Sequence, residues 1–164
     1  MRRIVSNTGP VLHLLEAQAF DLLSLTGDIH LPIGVEHEIA RVIPAWQRPN
    51  WITVDKLSEP YATESATWEQ AGLLHAGEAA TIGLARQLKA EWVLTDDTAA
   101  RLVARTLGLE VHGSLGVVLW AAAVGHLARA EAEVALERLS QSSLWLSAKV
   151  LAEAKEALEE IFRV

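Results

Sequence analysis

The chain has 164 residues, of which 51% are hydrophobic and none is cysteine. It is long enough to bury a core without covalent staples, and the lack of cysteine excludes a disulfide scaffold, a thiolate-bound zinc or iron–sulfur site and a cysteine nucleophile. Acidic residues outnumber basic ones by 21 to 14, which gives a net charge of −7 and argues against a general nucleic-acid coat or a polybasic membrane binder, because phosphate neutralisation needs a cationic surface.

Short apolar runs alternate with helical patterns along the first half of the chain. Pro10 and Pro32 each suit the first turn of a helix, and the proline-interrupted segment 44–60 is predicted to be a surface excursion. The predicted elements are, in order, a strand at 4–5, helical spacing over 12–27, a strand at 29–31, a helix at 32–41, a weak strand at 51–54 and a helix near 64–74.

The same alternation continues in the second half. The predicted elements are a helix at 77–90, a strand at 92–95, a helix from 96–98 to 108, a strand at 109–112, a helix at 114–124 and helical sequence over 128–162 with a break at 140–143. Gly108 is the expected helix stop and Ser114 an expected helix cap. The pattern predicts an α/β fold with a central, mainly parallel sheet. We expect one domain over 1–164, with a C-terminal helical extension from about 128.

No apolar run approaches the ~20 residues that span a bilayer. The first residues include Arg2 and Arg3 but no apolar stretch typical of an export signal. We therefore expect a cytoplasmic protein without a membrane partner.

Polar residues follow two of the predicted strands at the point where each strand ends. Asn7 follows the first strand, and Asp96 and Asp97 follow the strand at 92–95. In open parallel sheets, ligands bind beyond the carboxyl ends of the strands. If the two strands are neighbours, Asn7 and an aspartate face one crevice. The alternative is that these residues only cap the helices that follow.

Two glutamates lie close to the apolar faces of their predicted helices. At about 100° per residue, Glu38 lies nearer than Glu36 to the centre of the apolar stripe of the helix at 32–41. Glu78 shares a helical face with Ile82 and Ala85 and lies in the first turn of its helix, where a carboxylate also complements the helix dipole. A carboxylate at the edge of a core needs a partner, and a metal ion is one such partner.

Carboxylates grouped with a neutral amide would hold a hard divalent cation. Mg²⁺ and Mn²⁺ prefer oxygen ligands and keep several waters. Such an ion activates water and stabilises charge during phosphodiester hydrolysis. The separations of these residues along the chain indicate nothing by themselves, because only the fold can bring them together.

Several segments, in this order, resemble those of PIN-domain proteins, and most closely an uncharacterised prokaryotic subgroup related to VapC-type toxins. The segments are Ile4 to Pro10, Pro32 to Ile39, Gly77 to Ala80, Leu94 to Asp97 with Ala100 and Arg101, and Gly108-Leu109 with Gly113 to Val117. The resemblance covers nearly the whole chain. It implies a Rossmann-like three-layer α/β/α fold and metal-dependent ribonuclease activity from three or four acids.

The resemblance also implies catalytic and metal-binding positions. Asn7 stands where the family usually has its first aspartate, Glu38 matches the glutamate of the following helix, and Glu78 matches the acid that opens the central helix. Asp96 and Asp97 compete for the last position, since Asp97 fits a Thr-x-Asp pattern and Asp96 fits a paired-acid pattern of the subgroup. Asn7 departs from the usual family pattern, because its carbonyl can ligate but brings no charge.

Other polar residues near these positions have supporting roles in this interpretation. Arg101 and Arg105 lie one turn apart and can reach RNA phosphates; the alternative for Arg101 is an i,i+4 ion pair with Asp97. Ser6, Thr8 and Thr95 are candidates to orient water or a ligand carboxylate, beside ordinary turn and cap roles. The tryptophans form no regular array typical of single-strand binders.

The sequence thus supports two hypotheses. The first is an endoribonuclease that uses Mg²⁺ or Mn²⁺, the toxin of a toxin–antitoxin pair, with RNA as substrate. An antitoxin protein or a second copy of the chain would then cover the C-terminal helices. The second is a PIN-like module with weak or no catalysis that binds RNA or protein, as Asn7 and the acidic surface suggest. A nucleotide-binding α/β domain lacks support, because neither common glycine-rich phosphate loop is present.

Overall fold

The computed structural model describes residues 1–163 and contains, within them, five strands and nine helices. The strands are β1 (Arg3–Ser6), β2 (Asp28–Pro32), β3 (Ile52–Asp55), β4 (Trp92–Leu94) and β5 (Glu110–His112). The helices are α1 (Thr8–Glu16), α2 (Leu22–Thr26), α3 (Ile33–Val42), α4 (Tyr61–Gln70), α5 (Ala76–Leu88), α6 (Thr98–Thr106), α7 (Ser114–Ala123), α8 (Arg129–Ser140) and α9 (Ala148–Ile161).

The five strands form one parallel sheet in the order β3-β2-β1-β4-β5. The chain builds outward from β1 to β3 on one side and then continues with β4 and β5 on the other. The strand order therefore reverses between β1 and β4, where Ser6 pairs with Leu94 and the Asn7 N–H donates to the Leu94 carbonyl at 2.8 Å. This confirms the predicted parallel sheet and makes β1 and β4 neighbours. A crevice at such a switch point is the usual ligand site of an open α/β sheet.

Side chains that alternate along the strands separate the two faces of the sheet. Ile4 of β1 packs in a cluster with Val11 of α1 and Val117 of α7, whereas the next residue, Val5, packs against Leu84 of α5. Both faces are thus covered by helices. The fold is the expected three-layer α/β/α arrangement, and buried apolar surface on both sides explains why the strands are nearly continuous apolar runs.

The C-terminal helices add to one side of this arrangement. Leu136 of α8 and Leu158 of α9 form a buried cluster with Ala122 of α7. Both helices pack mainly on α7, and α8 also contributes Leu139 to the core against the sheet. Across the described part of the chain, no helix is both long and apolar enough to cross a membrane.

Two local predictions differ from the structure. The helical spacing over 12–27 is two helices, because the chain leaves α1 at Ala17 and passes through Gln18 in a left-handed conformation at φ 57°. Ser114 does not cap α7, since Gly113 occupies that position and the Ser114 hydroxyl donates to Asp96 instead. The tertiary contact of Ser114 takes precedence over the local cap.

Candidate functional site

Asn7 lies at the carboxyl end of β1, in the crevice between β1 and β4, and is only 6% exposed. Its Oδ1 accepts the Thr8 N–H at 2.9 Å, and its Nδ2 donates to Thr95 Oγ1 at 3.4 Å. These contacts orient the amide, with the oxygen over the start of α1 and the nitrogen toward β4. An amide oxygen has two acceptor sites, so one of them is left for a ligand.

Glu38 approaches Asn7 across the start of α5. A Cβ atom placed on Gly77 would lie 3.2 Å from Glu38 Oε2 and 3.4 Å from Asn7 Oδ1. The two oxygens therefore converge on the same point, and the missing side chain of Gly77 leaves that space open. Glu38 is half-buried at the edge of the α3 core face, which Val35 and Ile39 form.

Glu78 follows Gly77 in the first turn of α5 and is also half-buried, above Ile82 on the predicted helical face. Within residues 1–163, neither Glu38 nor Glu78 takes part in a side-chain hydrogen bond or a salt bridge. Both carboxylates are therefore available to a cation.

Asp96 follows β4 and has a very different environment. Its Oδ1 accepts the Ser114 N–H at 2.7 Å, and its Oδ2 accepts the Ser114 hydroxyl at 2.6 Å and lies 2.7 Å from His13 Nδ1. Burial raises the pKa of Asp96, but the hydrogen bonds from His13 and Ser114 outweigh it and hold the pKa below its ordinary value of 3.8. Asp96 is an ionised carboxylate that joins α1 and α7 to the end of β4.

Asp97 is the N-cap of α6, and its Oδ2 accepts the Ala100 N–H at 2.8 Å. It also lines a cavity of about 260 Å³ together with His75 and Ala76, the residues that lead into α5. The capping interpretation of Asp97 is correct for one of its two oxygens. Asp96 thus faces α1 and α7, whereas Asp97 faces the start of α5.

Arg101 does not pair with Asp97, so that alternative is wrong. Its Nη1 instead donates to the Thr95 carbonyl at 3.2 Å and lies near Asp96 around Gly113. Burial and the neighbouring Arg105 lower the pKa of Arg101, and Asp96 partly opposes this. The guanidinium stays charged, and Arg105 is exposed one turn further along α6.

The three hydroxyl residues near the strand ends are all buried. Thr95 Oγ1 accepts from Asn7 Nδ2 and from the Asp97 N–H, and so links the two strand ends. The Ser6 hydroxyl donates to the carbonyl of Asn7. Thr8 Oγ1 is buried without a hydrogen-bond partner in the described structure.

Comparison with models of protein families assigns the chain to a family. The model of the family DUF3368, a PIN domain, matches residues 3–160. The chain belongs to the PIN-domain family. PIN domains are in general nucleases that use divalent metal ions. No curated protein matches the chain significantly.

In this PIN domain the oxygen donors fit a hard cation. Asn7 Oδ1 and Glu38 Oε2 converge on one open point at Gly77, Glu78 is the next residue of α5, and the chain has no cysteine. Mg²⁺ is commonly held by one or two carboxylates and keeps several waters, so this sparse donor set is sufficient. Across residues 1–163, however, no three His, Asp or Glu side chains are grouped closely enough to hold a metal ion by themselves.

Two residues of the PIN domain site were not predicted as part of it. His13 lies on α1 and Ser114 on α7, and each contacts the Asp96 carboxylate. The only sequence signal was indirect, because Ser114 lies in one of the segments that carry the family resemblance. His13 carries no local signal, since its partner is 83 residues away in the chain.

Proposed function

We propose that this PIN domain is an endoribonuclease that hydrolyses RNA phosphodiester bonds with Mg²⁺ or Mn²⁺. The observation that carries the proposal is the convergence of Asn7 Oδ1 and Glu38 Oε2 on Gly77, at the switch point of the sheet. Two oxygens directed at an open point in a half-buried crevice suit an ion that also needs room for water and substrate phosphate.

Asn7 and Glu38 would hold the ion, and Glu78 would complete the set from the first turn of α5. When bound, the ion supplies a lowered pKa for water and neutralises charge that develops on the phosphate. Thr95 holds the Asn7 amide through Nδ2 and so keeps Oδ1 directed into the crevice. Asp96 and Asp97 supply negative charge on the β4 side, where they favour a cation.

The biological role we propose is that of the toxin in a toxin–antitoxin pair, with an antitoxin protein as partner and the cytoplasm as the place of action. The support for this role is the resemblance of the motif segments to VapC-type toxins. The encoded neighbour of this chain is the direct test, because an antitoxin is expected in the adjacent reading frame. An isolated frame, together with no growth inhibition on expression, would argue against a toxin.

The test of the nuclease is cleavage of a fluorescently labelled single-stranded RNA with Mn²⁺ and with EDTA. We expect cleavage only with Mn²⁺, and none by the double variant Asp96→Asn with Asp97→Asn. Unchanged cleavage by that variant would overturn the assignment of the β4 acids. The two single variants then show which of the two acids cleavage requires. Of the pair, only Asp97 lines the cavity at the start of α5.

A second function has a specific observation in its favour, namely a PIN-like module that binds RNA or protein with weak or no catalysis. Asn7 brings no charge, and Asp96 already accepts three hydrogen bonds. This alternative predicts weak Mn²⁺ binding by calorimetry and no cleavage. Tight Mn²⁺ binding with cleavage by the native chain would exclude it.

A further inference from the structure

A cavity of about 390 Å³ opens beside the candidate site, between the β4–β5 side of the sheet and the segment that joins α8 to α9. Asp96 and Arg101 line one part of it, and Leu144, Trp145 and Val150 line another. Its volume is within the range of small-molecule sites, about 300–1,000 Å³. It is therefore large enough to accept part of a substrate that also reaches Asp96.

Trp145 is the unusual residue of this cavity. Its side chain is 82% exposed, whereas Trp92 in the core is 5% exposed. The neighbouring Leu144 and Leu146 are half-buried, so they fix the segment while the indole extends into solvent. An exposed indole presents a large, flat and mostly apolar ring to solvent. It suits a partner with a flat π-face of its own.

The charges beside the cavity indicate what kind of partner this is. The chain has a net charge of −7, yet neither Arg101 nor Arg105 forms a salt bridge with any residue in 1–163. Like charges four residues apart on a helix destabilise it slightly. The single carboxylate of the cavity, Asp96, is already bound to Ser114 and His13. An anion would relieve the repulsion between the two arginines.

We propose that this cavity is a nucleotide subsite for single-stranded RNA, in which an unpaired base stacks on Trp145 and an adjacent phosphate contacts Arg101 and Arg105. The proposal rests on the proposed ribonuclease function, which it extends by locating where one nucleotide of the substrate binds. Stacking on an aromatic side chain requires a base that is not held in a duplex. Because Asp96 lines the same cavity, the subsite adjoins the β4 side of the candidate site.

Binding without metal provides the test, because it does not depend on catalysis. Fluorescence anisotropy of a labelled single-stranded oligoribonucleotide in EDTA and low salt measures the affinity. We expect Trp145→Ala to weaken binding about tenfold or more, the range for loss of one stacked base, and Trp145→Phe to restore most of it. Leu25→Ala, a substitution of another exposed apolar residue at a separate groove, is the control and should leave the affinity unchanged.

The arginines have a matched control of equal charge. Arg105→Gln should weaken binding and lower the salt dependence by about one counterion. Arg138→Gln makes the same charge change on α8, at the groove that Leu25 lines, and should have little effect. A duplex of the same sequence should bind more weakly than the single strand, and the Trp145→Ala substitution should not weaken that duplex binding.

Several results would overturn the subsite. One is native protein that fails to bind single-stranded RNA, and another is a Trp145→Ala variant with native affinity. A third is sedimentation showing that Trp145→Ala abolishes self-association while RNA binding persists, since Trp145 would then be a protein contact. Failure of the nuclease proposal is separate: it is absence of cleavage with Mn²⁺ by a protein whose RNA binding in EDTA still depends on Trp145.

Discussion

The two sides of the crevice carry the same number of acids, but the acids have opposite hydrogen-bonding environments. On the α3–α5 side, Glu38 and Glu78 make no side-chain hydrogen bond or salt bridge among residues 1–163. On the β4 side, Asp96 accepts three hydrogen bonds and Asp97 caps a helix. The first side has free ligand capacity, and the second holds secondary structure together.

This difference suggests separate roles for the two sides of the candidate site. A half-buried carboxylate without a partner has a desolvation cost that a cation can offset. A carboxylate with several hydrogen bonds is already stabilised and fixes the elements that donate to it. Under the proposed function, the Asn7–Glu38 side would therefore hold the ion, and the Asp96 side would give the crevice its rigid support.

The largest effect is expected from a substitution of Glu38, on the side that would hold the ion. Glu38→Gln removes the charge nearest the open point, and we expect Mn²⁺-dependent RNA cleavage to fall at least about 100-fold. The free energy of unfolding should stay the same or rise, because a half-buried carboxylate without a hydrogen-bond or ion-pair partner in residues 1–163 is replaced by a neutral amide. Cleavage assays and urea unfolding measure the two quantities.

Glu36→Gln is the matched control for that variant. Glu36 lies on the same helix, is also half-buried and contacts Arg48 at 3.5 Å, away from Gly77. It should keep native cleavage. Equal losses from Glu36→Gln and Glu38→Gln would mean that the convergence on Gly77 has no role in activity.

The preference for Glu38 over Glu36 was within reach of the sequence, since helical periodicity alone favours Glu38. The parallel sheet also followed from the alternation of apolar runs and helices, whereas the adjacency of β1 and β4 was a condition of the predicted site that only the structure supplies. These features depend on local pattern and on general rules for parallel sheets, which operate over short stretches of chain.

The hydrogen-bonding state of each acid could not be predicted from the sequence. Nothing local to Asp96 indicates that His13 and Ser114 will bind it, because those contacts span 83 and 18 residues and arise only when α1 and α7 dock. The same limit explains why Ser114 was expected to cap α7. Local rules describe the hydrogen bonds that a side chain can make nearby, and docking replaces them with others.

The second prediction concerns the packing on the Asp96 side. Gly113→Ala places a Cβ atom 2.6 Å from Asp96 Oδ1 and 2.7 Å from Arg101 Nη1, which is too close for either contact. We expect a loss of about 2 kcal/mol in the free energy of unfolding, as for other overpacked sites, measured by urea denaturation. An unchanged stability would mean that Asp96 is loosely held.

Gly116→Ala is the control for that clash. A Cβ atom there meets His112 at an ordinary 3.5 Å, and the position is inside α7. Alanine is about 1 kcal/mol better than glycine within a helix, so this variant should be more stable than the native chain. Opposite signs for the two variants would support the tight packing around Asp96.

A third and smaller effect tests the uncharged ligand. Asn7→Asp adds a charge beside Glu38, so we expect Mn²⁺ affinity to rise about tenfold, equivalent to about 1.4 kcal/mol. The metal-free protein should lose stability, because a second carboxylate then lies beside Glu38 and the Nδ2 donor to Thr95 is lost. Calorimetry and unfolding with and without Mn²⁺ measure both, and a variant without gain in affinity would place the ion away from Asn7.

The smallest expected effect is the dependence of stability on pH that Asp96 contributes. Asp96→Asn keeps an acceptor for the Ser114 N–H and can adjust to the Ser114 hydroxyl, so we expect it to lower the free energy of unfolding by only about 1 kcal/mol near neutral pH. Asp21→Asn, at an exposed aspartate without a side-chain hydrogen bond in the described chain, is the control and should change little.

The sign of the pH effect follows from the direction of the pKa shift. Burial raises the pKa of Asp96, and the stronger effect of the His13 and Ser114 hydrogen bonds leaves it below 3.8 in the folded chain. At acid pH the unfolded chain therefore binds the proton more readily than the folded chain. The contribution of Asp96 to the free energy of unfolding is complete above its ordinary pKa of 3.8 and is lost as the pH falls through the lower pKa of the folded chain. The gap between native and Asp96→Asn proteins should narrow in that window, as urea unfolding at a series of pH values measures. A gap that stays constant into strong acid would show that the Asp96 charge does not stabilise the β4 side, and that packing alone holds α1 and α7 to the strand.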